Sequence, residues 1–171
     1  RDIVNAISDK LEATILGSAA GSATMPAGIF NGVTAETKDI TYKRLVDMET
    51  ALEEANVAGN KCFIVSPSAK GILKTTAKDA LYNVTDGGVH TCVGCLMEEN
   101  EVNGYPVYCT SNVTSKGVVM GHFEDFVIGQ WGGIDLTVDP YTQAANGKVR
   151  LVINAYFDAK PRRTGSFQKA I

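Results

Sequence analysis

The sequence lacks long apolar runs and is poor in the residues that build catalytic sites: its 171 residues include four cysteines, two histidines and one tryptophan. No stretch reaches the roughly 18 consecutive apolar residues that a membrane-spanning helix needs, so we expect no membrane partner. Four cysteines are too few for the disulfide framework of a small secreted domain, which favours a reducing cytoplasm. The phosphate-cradling motifs Gly-x-x-x-x-Gly-Lys-Ser/Thr and Gly-x-Gly-x-x-Gly are also missing.

The charge balance argues against nucleic-acid binding as the main task. Hydrophobic residues make up 44% and charged residues 20% of the chain, and the formal net charge is −3. Proteins that grip nucleic acid usually carry a basic stripe. The one tight basic cluster is Lys160-Pro161-Arg162-Arg163, which we interpret as a solvated turn or a subunit contact.

Helical periodicity is clear in the first half of the chain. Apolar residues at four-residue spacing predict an amphipathic helix over residues 1–16. Thr41 can cap a second helix running to about Val57, and Ser66-Pro67 can begin a third that runs to about Thr76. Between the first two helices, residues 17–32 are rich in small residues and predict either a flexible linker or a loop docked through Ile29-Phe30.

The second half of the chain indicates mostly strands. Short apolar segments predict strands at 61–65, 106–109, 117–120, 126–130, 134–138, 149–157 and 166–169. We expect Trp131-Gly132-Gly133 to separate two of them, and residues 134–138 and 149–157 to form a hairpin with a long loop. Residues 78–94 show no clear period apart from a turn signal at Asp86-Gly87-Gly88. Helices and strands do not alternate strictly, so the predicted class is α+β.

The strongest chemical motif is His90-Thr91-Cys92-Val93-Gly94-Cys95. Two cysteines at this spacing can hold zinc or form a redox couple, and His90, Cys92 and Cys95 are the weak metal candidates. A structural zinc site needs four ligands, and no second Cys-x-x-Cys is present. We therefore favour partly buried thiols, with no metal, no cofactor and no catalytic residue. A small zinc or thiol-redox protein remains the alternative from a different class.

Several segments, taken in order, resemble the major capsid proteins of tailed bacteriophages. The residues that carry the resemblance are Gly28-Ile29-Phe30-Asn31, the strand and helix start Phe63-Ile64-Val65-Ser66-Pro67, the segment Gly104-Tyr105-Pro106-Val107, the stretch from His122 to Tyr141, and the strand from Val149 to Asp158. Each segment alone is a weak signal. Their common order across nearly the whole chain is specific.

The resemblance implies the Hong Kong 97 phage capsid fold, with an axial (A) domain and part of a peripheral (P) domain. Residues 1–38 would be the spine helix and following loop of the P domain, and residues 39–130 the A domain. Residues 131–160 would return as P-domain strands, and residues 161–171 would form a C-terminal strand that rejoins the A domain. The family's N-arm and E-loop precede the spine helix. Together with the missing initiator Met, this leads us to expect that the sequence is the C-terminal part of a longer chain.

The implied function is structural. The family's subunits form hexamers and pentamers of an icosahedral head that encloses double-stranded DNA without binding it specifically, and they meet portal and scaffold proteins. The expected location is the virion, after assembly in the cytoplasm of a bacterial host. A contact near the capsomer axis is expected from a loop that contains Asp79, Tyr82, Asp86, Gly87 and Gly88. An encapsulin-type compartment shell is the alternative within the same fold.

Overall fold

The computed structural model describes residues 2–32, 35–36, 39–78, 83–86, 89–92 and 94–170, with side chains described at 5–31, 39–78 and 94–170. In these residues the helices and strands, in chain order, are α1 (Asp2–Ile15), α2 (Ile29–Gly32), β1 (Ala35–Glu36), α3 (Tyr42–Glu54), β2 (Cys62–Val65), α4 (Pro67–Thr75), β3 (Asn83–Asp86), β4 (Val89–Cys92), β5 (Glu101–Val102), β6 (Tyr105–Cys109), β7 (Val118–Gly121), β8 (Phe126–Asp139), β9 (Arg150–Pro161) and β10 (Phe167–Ala170). The predicted α+β class is confirmed. None of the helices described here has the length and apolar character needed to cross a membrane.

A six-stranded mixed sheet in the order β1-β10-β7-β2-β6-β5 forms the main body of the molecule. Strand β2 pairs parallel with β6 and antiparallel with β7. Strand β10 pairs antiparallel with β7 and parallel with β1. The C-terminal strand therefore lies inside the sheet and closes the fold on elements far away in the sequence.

Helices α3 and α4 cover one face of this sheet. Both begin where their capping residues predict: Thr41 Oγ1 accepts from the Arg44 N–H at 3.3 Å, and Ser66 Oγ accepts from the Ala69 N–H at 3.2 Å. The apolar stripes of the two helices pack on alternate side chains of the central strands. This core contains Leu45, Met48, Leu52, Ala69 and Leu73 from the helices, and Phe63, Val65, Val118 and Met120 from the sheet.

The loop after α1 is docked on the other face of the sheet. Ile29 and Phe30 are almost fully buried there, next to Val119 and Phe167. The loop closes on its own ends, because the Phe30 N–H donates to the Gly17 carbonyl at 3.2 Å. A Cβ at position 28 would lie 2.0 Å from the same Gly17 oxygen, so only glycine fits there. The flexible-linker interpretation is wrong, and the docked loop is confirmed.

Strands β8 and β9 form a long two-stranded hairpin outside the main sheet. It pairs from Phe126 opposite Pro161 to Asp139 opposite Arg150. The predicted break at residues 131–133 is wrong, because β8 runs through them as one strand. A shift in register between Trp131 and Asp135 absorbs the extra residues as a bulge, which a glycine pair accommodates easily.

A second, short hairpin lies within residues 78–94, where the sequence shows no clear hydrophobic period. Strand β3 pairs antiparallel with β4, and Asp86 lies opposite Val89 at its turn end. The turn signal at this point predicted the chain reversal. The strands were not predicted, because neither shows the apolar alternation of a half-buried strand.

Phe167 joins the main sheet to the base of the long hairpin. Its ring is fully buried and makes edge-to-face contacts with Phe123, at 5.3 Å between centroids, and with Phe126, at 6.1 Å. We expect Phe167→Ala to lower the free energy of unfolding by about 3–5 kcal/mol, because it removes buried area and leaves a cavity. Urea denaturation followed by circular dichroism measures the change. The matched control is Tyr108→Ala, on an exposed side chain, with an expected change within about 0.5 kcal/mol. Equal losses in the two variants would contradict the assigned role of Phe167.

Candidate subunit-contact surface

The exposed apolar side chains are concentrated on the long hairpin. Thirteen large apolar side chains are exposed among the described residues, and ten of them lie between positions 127 and 156. These ten are Val127, Ile128, Trp131, Ile134, Leu136, Val138, Tyr141, Val149, Leu151 and Tyr156. Single exposed apolar residues are ordinary, but a concentration of this kind marks an interaction surface.

One side of the hairpin, here called the inner face, is turned toward α1. Its β9 members are the residues that alternation in the sequence predicts to share a face: Leu151, Ile153, Ala155 and Phe157. The register places Val138 opposite Leu151 and Leu136 opposite Ile153, which brings those β8 side chains to the same face. The inner face is therefore apolar on both strands.

Helix α1 covers the inner face incompletely. Ile7 and Leu11 of α1 line a groove of about 680 Å³ together with the β9 side chains of that face. On the neighbouring strand, Leu136 is 58% exposed and Val138 is 56% exposed. The helix thus shields the β9 half of the apolar face only in part, since Leu151 stays 49% exposed, and it leaves the β8 half open.

The opposite side, here called the outer face, is mixed in character. Trp131 and Tyr156 lie directly opposite each other across the two strands, which places their side chains together on this face. Along the strands the same face continues through charged residues of both signs: Asp135 and Asp139 on β8, and Arg150, Asp158 and Lys160 on β9. An exposed aromatic pair thus lies within a charged surface.

The tip of the hairpin is held by one carboxylate. Asp139 Oδ1 accepts from the backbone N–H of Tyr141 at 3.0 Å and of Thr142 at 3.1 Å, and its Oδ2 accepts from the Thr142 hydroxyl. These hydrogen bonds favour the ionised form and hold the pKa of Asp139 below its usual value of 3.8, the Thr142 hydroxyl contributing most. The turn presents Tyr141 with 84% of its side chain exposed.

The ionisation of the Asp139 carboxylate should control how well the turn at the hairpin tip is ordered. Because the folded-state pKa is depressed, the stabilisation is present above about pH 4 and is lost as the pH falls through the folded pKa. We expect Asp139→Ala to increase the hydrogen-exchange rates of the Tyr141 and Thr142 amides at neutral pH. Asp139→Asn, which keeps one acceptor oxygen, should show a smaller increase. Unchanged exchange in Asp139→Ala, measured by NMR, would show that the carboxylate does not order the tip.

The residues predicted to lie near a capsomer axis are for the most part not among the described ones. Asp79, Tyr82, Gly87 and Gly88 lie outside the described residues. Asp86 ends strand β3, and its side chain is likewise not described. The axial contact therefore stays a prediction from the resemblance, and the hairpin surface is the candidate that the described residues support.

The cysteine motif differs from the expectation in one respect. Cys95 is disulfide-bonded, so the interpretation of the motif as partly buried thiols is wrong at this position, and its sulfur is not available as a thiolate ligand. The side chains of His90 and Cys92 lie outside the described residues. Cys62 and Cys109 are free thiols, and burial raises the pKa of the Cys62 thiol above its usual value of 9.0. Among the described residues, no group of three or more His, Cys, Asp or Glu side chains is placed to hold one metal ion.

The thiols should differ in reactivity. In the native protein at pH 8 we expect iodoacetamide to alkylate the exposed Cys109 first and Cys62 more slowly, because the thiolate is the reactive form and burial disfavours it. Cys95 should be labelled only after reduction. Peptide mass spectrometry with and without prior reduction distinguishes these cases. Labelling of Cys95 in the unfolded, non-reduced protein would contradict the disulfide.

The hairpin surface was not predicted as a functional site, although the sequence contains the signal for it. Ile134, Leu136 and Val138 alternate along one strand, as do Leu151 and Ile153 along the other. This pattern predicts an apolar face but does not say whether the same subunit covers it. That information comes from the position of α1, which depends on contacts remote in the sequence.

The chain belongs to the phage capsid family, whose sequence profile matches residues 1–170. The major capsid protein of Halomonas phage phiHAP-1 is 32% identical over 130 residues. That alignment covers 75% of this chain and 20% of the relative, so the match spans about a fifth of the relative's length.

Solved capsid structures share the fold. The capsid of an empty GTA particle superimposes with a TM-score of 0.67 at 17% identity, covering 98% of this chain and 64% of that one. A structure from Gordonia phage Cozz gives a TM-score of 0.67 at 16% identity, covering 99% of this chain and 60% of that one. The predicted Hong Kong 97 phage capsid fold is confirmed.

Proposed function

We propose that the chain is part of a major capsid protein that forms the shell of a tailed-phage head. Copies assemble into hexamers and pentamers, which tile an icosahedral shell around double-stranded DNA. The single observation that carries this proposal beyond family membership is the hairpin of residues 126–161. It exposes ten large apolar side chains on its two faces and its tip, and such a concentration marks an interaction surface. In a shell built of many copies, such a surface can form the contacts between subunits.

The proposed division into domains follows the family resemblance. Residues 1–38 and 131–160 belong to the peripheral domain, residues 39–130 form the axial domain, and residues 161–171 return to the axial domain. The position of β10 between β1 and β7 in the six-stranded sheet supports the last assignment. The contact between α1 and β9 supports grouping the spine helix with the hairpin.

The proposed role is structural, without catalysis and without a cofactor. Portal and scaffold proteins are the proposed partners besides further copies of the subunit, and the site of action is the virion after assembly in the bacterial cytoplasm. The net charge of −3 supports a shell that encloses DNA without tight binding at every subunit, because phosphate contacts dominate such affinity. The 32% identity with a phage major capsid protein favours a phage head over an encapsulin compartment.

Electron microscopy tests the proposed function directly. We expect the gene product that carries this sequence, produced in bacteria, to form closed shells or capsomers visible in negative stain. A product that stays monomeric at every concentration at which it is soluble would contradict the proposal.

The open half of the inner face should matter for that assembly. We expect the double variant Leu136→Asp and Val138→Asp to block shell formation, because two carboxylates would have to be desolvated in an apolar contact. The matched control is Tyr108→Asp, which places a carboxylate on an exposed side chain of the main sheet. Thermal melting should show both variants folded. Normal shells from the double variant would exclude the inner face as a contact.

A further inference from the structure

Trp131 and Tyr156 are two exposed aromatic side chains at a cavity of about 890 Å³, which the loop of residues 21–29 also lines. They lie opposite each other on the outer face of the hairpin, with 60% and 65% of their side chains exposed. Neither residue lines the groove between α1 and the inner face, and the cavity that they share with the loop of residues 21–29 leaves more than half of each side chain exposed. A tryptophan left this exposed beside a second aromatic ring is typical of an interface anchor.

The Trp131 ring packs against its own strand at Gly129. A Cβ built on Gly129 would lie 2.9 Å from Trp131 Cη2, which means that the outer edge of the indole ring lies close to the glycine two positions earlier in β8. A larger residue at position 129 would lift the ring off the strand. Preorganisation of this kind lowers the entropy that binding must overcome.

We propose that this aromatic pair anchors a contact with a second copy of the chain, seated on the outer face of the hairpin. The inference rests on the proposed function, since a shell supplies the second copy. It concerns a different face from the one that α1 partly covers.

The charges around the pair fit a second copy. Asp135 and Asp158 adjoin the rings in the register of the hairpin, and Arg150 and Lys160 lie farther along the same face, toward opposite ends. One surface therefore presents both signs of charge, and another copy of it can match them. A strongly basic or acidic partner would leave one of the two signs unpaired.

The size of the pair suits an anchor within a larger contact. An aromatic side chain can bury about 150–250 Å², so two rings more than half exposed offer about 200 Å². A stable interface takes about 800 Å² from each partner, so the remainder must come from the surrounding hairpin. Such central aromatic residues typically contribute most of the binding energy of a contact.

The test compares assembled and dissociated protein. Hydroxyl-radical footprinting with mass spectrometry reports the reactivity of Trp131 and Tyr156 in shells and in dissociated subunits of the same gene product. We expect both residues to be protected on assembly. Shells in which both react as fast as in free subunits would overturn this inference and leave the proposed function standing. Absence of any assembly would overturn both.

Assembly of substituted variants provides a second test of the anchor. We expect Trp131→Ala to raise the protein concentration needed for assembly about tenfold, as truncation of an interface anchor does. Gly129→Ala should act in the same direction while keeping the tryptophan, because it displaces the ring. Tyr108→Ala, which removes an equally exposed ring at 61% from the main sheet, is the matched control. Circular dichroism confirms that each variant is folded. Equal assembly of Trp131→Ala and the control would count against the anchor.

Discussion

Burial of the central strands on both faces is the constraint on which the rest of the structure depends. Strand β7 is buried at every position, and its side chains alternate between a core with α3 and α4 and a second core with the end of α1. The second core contains Phe167, which contacts Phe126 at the start of the hairpin. The helices pack on one face of the buried sheet, and the loop and the hairpin base pack on the other. The position at which the long hairpin joins the main body is therefore fixed.

The hairpin itself cannot reach the same degree of burial. It has two strands, and an isolated two-stranded ribbon is marginally stable in water unless something packs against it. Helix α1 supplies part of that packing through Ile7 and Leu11, but Leu136 and Val138 stay exposed beside it. In the proposed shell, neighbouring copies would cover what the subunit leaves open. The exposed area would then be a requirement of assembly and not a defect of the fold.

Local signals in the sequence account for much of this fold. The caps at Thr41 and Ser66 and the docked Ile29-Phe30 follow from residue types and spacing alone. The continuous β8 could not be predicted, because a glycine pair indicates a break and its inclusion depends on pairing with β9, a partner remote in the chain. The contact surface likewise could not be predicted from local sequence alone. Alternation predicts that Leu136 and Ile153 share a face, but only tertiary packing decides that α1 shields the second and leaves the first exposed.

The backbone edges of the hairpin explain why its contacts should form through side-chain faces. An open strand edge invites pairing with any other strand, and natural proteins blunt such edges with proline, charge and bulges. Here Pro161 has no N–H to donate, and the Ala159 N–H donates to the Asp158 carboxylate at 2.8 Å. The bulge after Trp131 interrupts the regular ladder on the other strand. Edge pairing is therefore disfavoured at the base and middle of the hairpin. This agrees with the proposal that copies associate through the apolar inner face and the aromatic pair on the outer face.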